Sequence, residues 1–193
     1  MLRGLYDWTM RLAAHHNANW VLAFVSFVES SVFPIPPDVL LIPMVLAQRA
    51  RAFLLALNCT VASVLGGLLG YAIGFFLFEA VGLPILEFYG YADRFAEFQG
   101  RYNEWGAWIV FIAGITPFPY KVITIASGVA ALDLGVFIAA SVVARGLRFF
   151  IVAGLLWAFG PAIQAFIERY LPWLFTLFVV SLFAGFAAIR YLG

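Results

Sequence analysis

The stretch Phe27-Val28-Glu29-Ser30-Ser31-Val32-Phe33-Pro34-Ile35-Pro36-Pro37-Asp38 decides how the chain is read. It lies inside an apolar segment, Trp20 to Gln48, whose only charges are Glu29 and Asp38 and which Pro34, Pro36, Pro37 and Pro43 interrupt. Each proline removes a backbone donor and clashes with the preceding turn, so this cluster excludes one straight spanning helix. Backbone groups freed in this way cannot face hydrocarbon. They are tolerated only inside protein or beside a water-filled cavity. The expected structure is a re-entrant hairpin that enters the bilayer, breaks near mid-depth and returns to its own side. Complete spans with proline kinks are the alternative.

The surrounding composition makes lipid the solvent. Of 193 residues, 65% are hydrophobic and 11% charged, with a mean hydropathy of +1.00. Soluble domains carry roughly 25% charge, so this chain has too little to coat a globular surface. Phe is the leading aromatic, with 21 copies against 6 Trp and 8 Tyr. Phe tolerates hydrocarbon, whereas Trp and Tyr favour the membrane interfaces. A net charge of +1 offers no polyanion-binding surface and argues against nucleic acid. Met1 to Asn19 lacks the continuous apolar core of a cleavable signal. The single Cys59 excludes an internal disulfide, and His15 and His16 read as interfacial rather than metal-binding. No cofactor motif, metal cluster or nucleophile elbow is present, so no cofactor, no metal and no enzyme activity are expected.

One membrane domain, 1–193, is expected. Residues 1–17 carry Leu5, Trp8 and Leu12 at helical spacing and read as a short interfacial helix. Phe53 to Phe78 has no charge and is long enough to span. On it, Gly66, Gly70 and Gly74 form a small-residue stripe that lets another helix approach closely, or that is simply a packing seam. Residues 79–104 form the long polar stretch. Its aromatic positions (Phe88, Tyr91, Phe95, Phe98, Tyr102, Trp105) predict an amphipathic linker helix in the membrane surface. Residues 171–190 read as a C-terminal transmembrane helix.

A second broken segment repeats the first. Pro34-Ile35-Pro36-Pro37-Asp38-Val39 aligns with Pro117-Phe118-Pro119-Tyr120-Lys121-Val122. Each break precedes a long apolar helix, giving repeat one at 20–78 and repeat two at 105–160. A hairpin plus one span leaves the chain on the opposite side, so the two repeats are inverted. Inverted repeats with broken helices meeting at the midplane characterise secondary transporters. The fold class expected is therefore an all-α polytopic membrane protein. It consists of two inverted-topology repeats, each a Pro-broken re-entrant hairpin plus a transmembrane helix. Arg3, Arg11, Arg49, Arg51 and Arg169 on one side, against Arg94, Arg101 and Arg190 on the other, place the first side in the cytoplasm.

Glu29, Asp38, Lys121, Arg145 and Arg148 lie at membrane depth. Intramembrane charges cost about 2.5–3.5 kcal/mol each on the lenient scale, so they pair, point inward or mark a pathway. Mutual structural pairing is one reading. The other starts from the charge count: three cations and two anions leave one positive charge to receive an anion such as a phosphate. Asp38 and Lys121 each follow a proline pair at the start of a half-helix, where free N–H groups attract anions. Lys121 is the only lysine. Arg145 and Arg148 are three apart on one helical face, and Arg suits bidentate phosphate contacts. Lys121, Arg145 and Arg148 are thus the expected head-group phosphate ligands. Glu29 has apolar sequence neighbours, which disfavour a charge, and is the proton-coupling candidate. Asp38 is the structural or coupling carboxylate, facing Lys121.

Phe27 to Asp38, together with Gly114-Ile115-Thr116-Pro117-Phe118-Pro119-Tyr120-Lys121, resembles the two signature loops of the DedA family, which shares the VTT (SNARE-associated Golgi protein) domain. The similarity is greatest to its YqaA-like bacterial branch and covers about 20–160. The resemblance implies a multi-pass protein of the bacterial inner membrane with re-entrant hairpins. It also implies lipid translocation of phospholipid or undecaprenyl phosphate, with protons proposed as the coupling ion. The family's essential acidic positions match Glu29 and Asp38. Many members carry an earlier Arg on the second hairpin where Ile115 and Thr116 stand here, and Lys121 fills the later basic place. The expected function is a lipid flippase or scramblase for a phosphate-bearing head group. The alternatives are a proton-coupled carrier of a small soluble anion and a non-transporting membrane-organising protein. Homo-oligomerisation is left open.

Overall fold

In the computed structural model, residues 17–32, 36–116, 118–160 and 162 are described. The expected interfacial helix at 1–17 (save Asn17), the C-terminal helix at 171–190, and Pro34 and Pro117 lie outside them. The described residues are helical, with no strand among them. In chain order they form α1 (Ala18–Glu29), α2 (Asp38–Ala47), α3 (Ala52–Leu77), α4 (Leu83–Phe88), α5 (Ala92–Ile115), α6 (Tyr120–Val129) and α7 (Leu134–Gly160). Two continuous apolar stretches are long enough to cross a membrane, Arg49–Phe88 and Leu134–Gly160. At about 1.5 Å per residue, α3 alone reaches past a hydrocarbon core of about 30 Å.

The sequence explains where the helices stop. Ser30 to Val32 form a turn after α1, and Pro36 and Pro37 precede α2. Val39 and Leu40 donate their N–H groups to the carbonyls of Pro36 and Pro37, so the prolines open α2 where a missing donor costs least. Pro119 opens α6 in the same way, with the Val122 N–H on its carbonyl. The short apolar helices α2 and α6 therefore begin at prolines, and each is followed by one of the two long apolar stretches.

The glycine stripe on α3 is where both broken units dock. A Cβ on Gly66 would lie 2.0 Å from the Phe27 carbonyl oxygen of α1, and one on Gly74 would lie 2.1 Å from the Ile125 carbonyl oxygen of α6. Gly70 sits between them, against Thr124 and the Ser30 carbonyl. Gly128 of α6 returns the contact, at 2.0 Å from the Tyr71 carbonyl oxygen. Only hydrogen fits at such distances, so these helices touch backbone to backbone.

Two apolar clusters flank this seam. One joins Leu22, Leu41, Val45, Cys59 and Phe149 from α1, α2, α3 and α7. The other joins Tyr102, Val110, Tyr120, Leu132 and Phe137 around α5, α6 and α7. Outside them, large apolar side chains stand on the surface, among them Trp20, Phe24, Phe76, Leu77 and Phe159. A surface of this kind is unfavourable in water and natural in lipid, as befits a membrane protein.

The expected linker at 79–104 differs in form. α3 runs on through a π-helical turn at Phe78–Gly82 into α4. After the Tyr89–Tyr91 turn, where Gly90 takes φ +70°, α5 continues unbroken from Ala92 to Ile115. The boundary drawn at 104/105 falls inside that helix. Its polar and apolar halves are one rod, not a surface helix followed by a separate span. Phe78 stacks on Phe95 at 4.4 Å, so α5 folds back along the end of α3.

Candidate functional site

The two helix breaks face each other, and the charges do the joining. Arg145 and Arg148 lie one turn apart on α7, and they reach the end of α1 and the start of α2. Arg145 Nη2 donates to Glu29 Oε2 at 2.9 Å, and Arg148 Nη2 donates to Asp38 Oδ2 at 2.7 Å. The two rungs are built differently.

The inner rung is closed. Arg145 Nε donates to Ser63 Oγ at 2.6 Å. Ser63 and Ser30 hydroxyls are 2.7 Å apart. Ser30 Oγ reaches the Glu29 carboxylate at 3.2 Å and the Ser26 carbonyl at 3.0 Å. Because Arg145 occupies the Ser63 oxygen, Ser63 can pass its own proton to Ser30, and the ring closes at Glu29. The guanidinium also lies between two aromatic rings, 4.8 Å from the Tyr120 centroid and 4.7 Å from that of Phe149. Such cation–π contacts strengthen in desolvated surroundings. Tyr120 is fixed in turn by its hydroxyl on Ser141. The Arg145 side chain is 1% exposed.

The outer rung is open. The Arg148 and Asp38 side chains are 21% and 22% exposed. Arg148 divides its fork, with Nη1 on the Thr116 carbonyl at 3.0 Å and Nη2 on Asp38. It thus caps the end of α5 with one hand and holds the start of α2 with the other. Asp38 binds through one oxygen only, while its Oδ1 is buried without a hydrogen-bond partner.

Lys121 completes the site. Its Nζ lies 3.4 Å from the Val32 carbonyl, at the turn that ends α1. One turn further along α6, Thr124 Oγ1 lies 3.1 Å from the Ser30 carbonyl. Cations from the second broken unit thus meet carbonyls and carboxylates of the first. Among the described residues Lys121 has no carboxylate partner, whereas both arginines do. The cluster keeps one net positive charge, and it resides on Lys121.

Several expectations change here. Lys121, Arg145 and Arg148 do not form one anion-binding face. Arg145 is enclosed, with Nε on Ser63, Nη2 on Glu29 and a ring on either side, whereas Lys121 and Arg148 are more exposed. Asp38 is paired with Arg148 rather than with Lys121. Glu29 meets a guanidinium and a serine instead of the apolar surroundings its sequence neighbours suggest, because helix α1 turns it away from them toward α3 and α7. Of the proline breaks, Pro36, Pro37 and Pro119 stand at helix starts, as described above. Ser30, Ser63, Tyr120 and Phe149 escaped the sequence reading. Ser63 could have been found as one of few polar side chains in the charge-free span. The aromatic pair carried no such signal.

The fold and these buried charges define an all-helical membrane protein whose polar chemistry is concentrated where short helices begin. Residues 35–158 match the VTT domain, and the chain belongs to the VTT domain (DedA) family. Asp38, Lys121, Arg145 and Arg148 fall within the matched residues, and Glu29 lies just before them. Two relatives span most of the chain. An uncharacterized protein of Haemophilus influenzae is 42% identical over 151 residues, 78% of each chain. An uncharacterized protein of Histophilus somni is 36% identical over 151 residues, again 78% of each. No solved structure matches at a significant level.

Proposed function

We propose that the protein is a lipid transporter of the bacterial inner membrane, a flippase or scramblase, that receives a lipid head-group phosphate at Lys121 and Arg148. The single observation that carries this reading is the leftover cation. At membrane depth a charge without a counter-ion is costly, and Lys121 stands at the start of a half-helix, on the carbonyl of the turn that ends α1, while the partly exposed Arg148 holds the start of α2. Helix starts and arginine forks both suit phosphate oxygens.

In this reading the breaks at Pro36–Pro37 and Pro119 are the tips of two re-entrant hairpins, related by inverted topology, and the chain crosses the membrane several times. The element order supports it: each short proline-headed helix precedes a long apolar one, and both units dock on the same glycine seam. The head group travels along the open edge between the tips while its acyl chains stay in lipid. The enclosed Arg145 ring holds the tips at a fixed separation. Glu29 and Asp38, 16% and 22% exposed, are the carboxylates through which protons would couple to transport.

Reconstitution into liposomes containing a fluorescent phospholipid tests this. Wild-type protein should expose inner-leaflet lipid to a membrane-impermeant quencher faster than empty liposomes do, and Lys121→Ala should reduce that rate while still inserting. Uptake of a soluble anion without lipid movement would favour the carrier alternative. Equal rates in protein-free and protein-containing liposomes would end the lipid reading.

A further inference from the structure

We propose that the Asp38 carboxylate is an internal stand-in for the lipid phosphate: it occupies the phosphate seat on Arg148, and the arriving head group must displace it. The idea rests on the lipid reading above and goes beyond it by giving Asp38 a competitive role.

The contrast between the two ion pairs leads to this assignment. Glu29 takes the guanidinium of an arginine that is 1% exposed and the Ser30 hydroxyl on the same oxygen, Oε2, and leaves no buried oxygen without a partner. Asp38 holds Arg148 by one oxygen, 2.7 Å from Nη2. Its other oxygen is buried without a partner, an arrangement that wastes half of the carboxylate's acceptor capacity. Arg148 is likewise half used on this side, because its second amino group serves the Thr116 carbonyl. The contact is one-point where an arginine fork could make a bidentate one. A phosphate offers more acceptor oxygens than this carboxylate presents, enough to meet Arg148 Nη2 and Lys121 Nζ together.

The charges agree. Asp38, Arg148 and Lys121 sum to one positive charge, which a singly charged phosphodiester neutralises. Glu29 and Arg145 cancel each other within their ring. The displaced Asp38 is not stranded. As the first residue of α2, it sits at the positive end of that helix, which continues to favour its charge. The proline break just before it supplies the place for the swing. Once the lipid leaves, Asp38 returns to Arg148 and the seat is again closed to soluble anions. Asp38 therefore sets both affinity and release.

The test uses the full chain purified in detergent, with a short-chain fluorescent phosphatidylglycerol as probe and fluorescence anisotropy as readout. A seat that its own carboxylate leaves free for only a tenth of the time binds about tenfold more weakly than an open one. Asp38→Asn should therefore tighten binding by about that factor, and Asp38→Glu should bind like the wild type. Arg148→Gln should weaken binding strongly. In liposomes, Asp38→Asn should move the probe more slowly than wild type despite its tighter grip, because the group that drives release is gone. Asp38→Ser serves as a second variant and should tighten in the same direction if Asp38→Asn does not survive purification. Transport and binding by the wild type, with no tightening in either neutral variant, would overturn the counter-ion role alone. Absence of probe binding in every form, together with absence of lipid movement, would instead remove the lipid reading.

Discussion

The Glu29–Arg145 and Asp38–Arg148 pairs are one helical turn apart on α7 and use the same chemical groups, yet they are built for different ends. The inner arginine has a carboxylate, a serine and two aromatic rings around it, and is 1% exposed. The outer arginine divides its donors between a partly exposed carboxylate and a backbone carbonyl. A charge buried among a carboxylate, a hydroxyl and two rings fixes a structure. A partly exposed charge, held by a carboxylate with an unpartnered oxygen, is available to a ligand. Identical residue types three positions apart can therefore divide between architecture and function according to how deeply their surroundings enclose them.

The largest expected effect is on the inner side. Removing one partner of a buried pair costs about 3–5 kcal/mol, because the other charge is left without compensation. Arg145→Gln should lose that much, seen as a large drop in the thermal unfolding midpoint in detergent. Glu29→Gln should be destabilised in the same direction, since it leaves Arg145 charged and enclosed. An Arg148→Gln variant that unfolds as easily as Arg145→Gln would break the division between the two rungs.

Next comes the seam that positions the inner ring. Gly66→Ala would place a methyl group 2.0 Å from the Phe27 carbonyl oxygen, two residues before Glu29. Overpacking of this kind costs about 1–3 kcal/mol, occasionally more, and the rigid partner here is backbone. Thermal unfolding should show the loss, and transport should fall with it. Tyr120→Phe should have a smaller effect, about 1 kcal/mol: the ring over Arg145 remains and only the hydroxyl on Ser141 is lost. Gly100→Ala is the control. Nothing lies within 4 Å of a Cβ there, and alanine suits a helix interior better than glycine, by about 0.5–1 kcal/mol. It should leave transport unchanged and raise the unfolding midpoint slightly.

Much of this was legible in the residue pattern. Pro36 and Pro37 in a membrane-length apolar run announced the start of α2, although Pro43 sits inside that helix, and Pro119 announced the start of α6. Gly66, Gly70 and Gly74 announced a close helix contact, though not that both broken units would share it. All five charges of the cluster were identifiable from hydropathy. Their partners were not, because pairing between α1 and α7 depends on how the helices rotate and dock, which spacing along one helix cannot specify. Glu29 illustrates the point: its chain neighbours are apolar, but its spatial neighbours are Arg145 and Ser30. The length of α5 was missed for a related reason. A change from polar to apolar residues at 104/105 looks like a boundary, yet nothing there breaks a helix: no proline, and only an isolated Gly106, which packs against Leu132.

The most direct measurement is a high-resolution structure of the full chain in lipid nanodiscs containing a phosphodiester lipid. The expected result is a head-group phosphate within hydrogen-bonding distance of both Lys121 and Arg148, with Asp38 turned away from Arg148 and the Glu29–Arg145 ring intact. Head groups found only at the bilayer surface in such a map, with Arg148 still bound to Asp38 and nothing at Lys121, would contradict it.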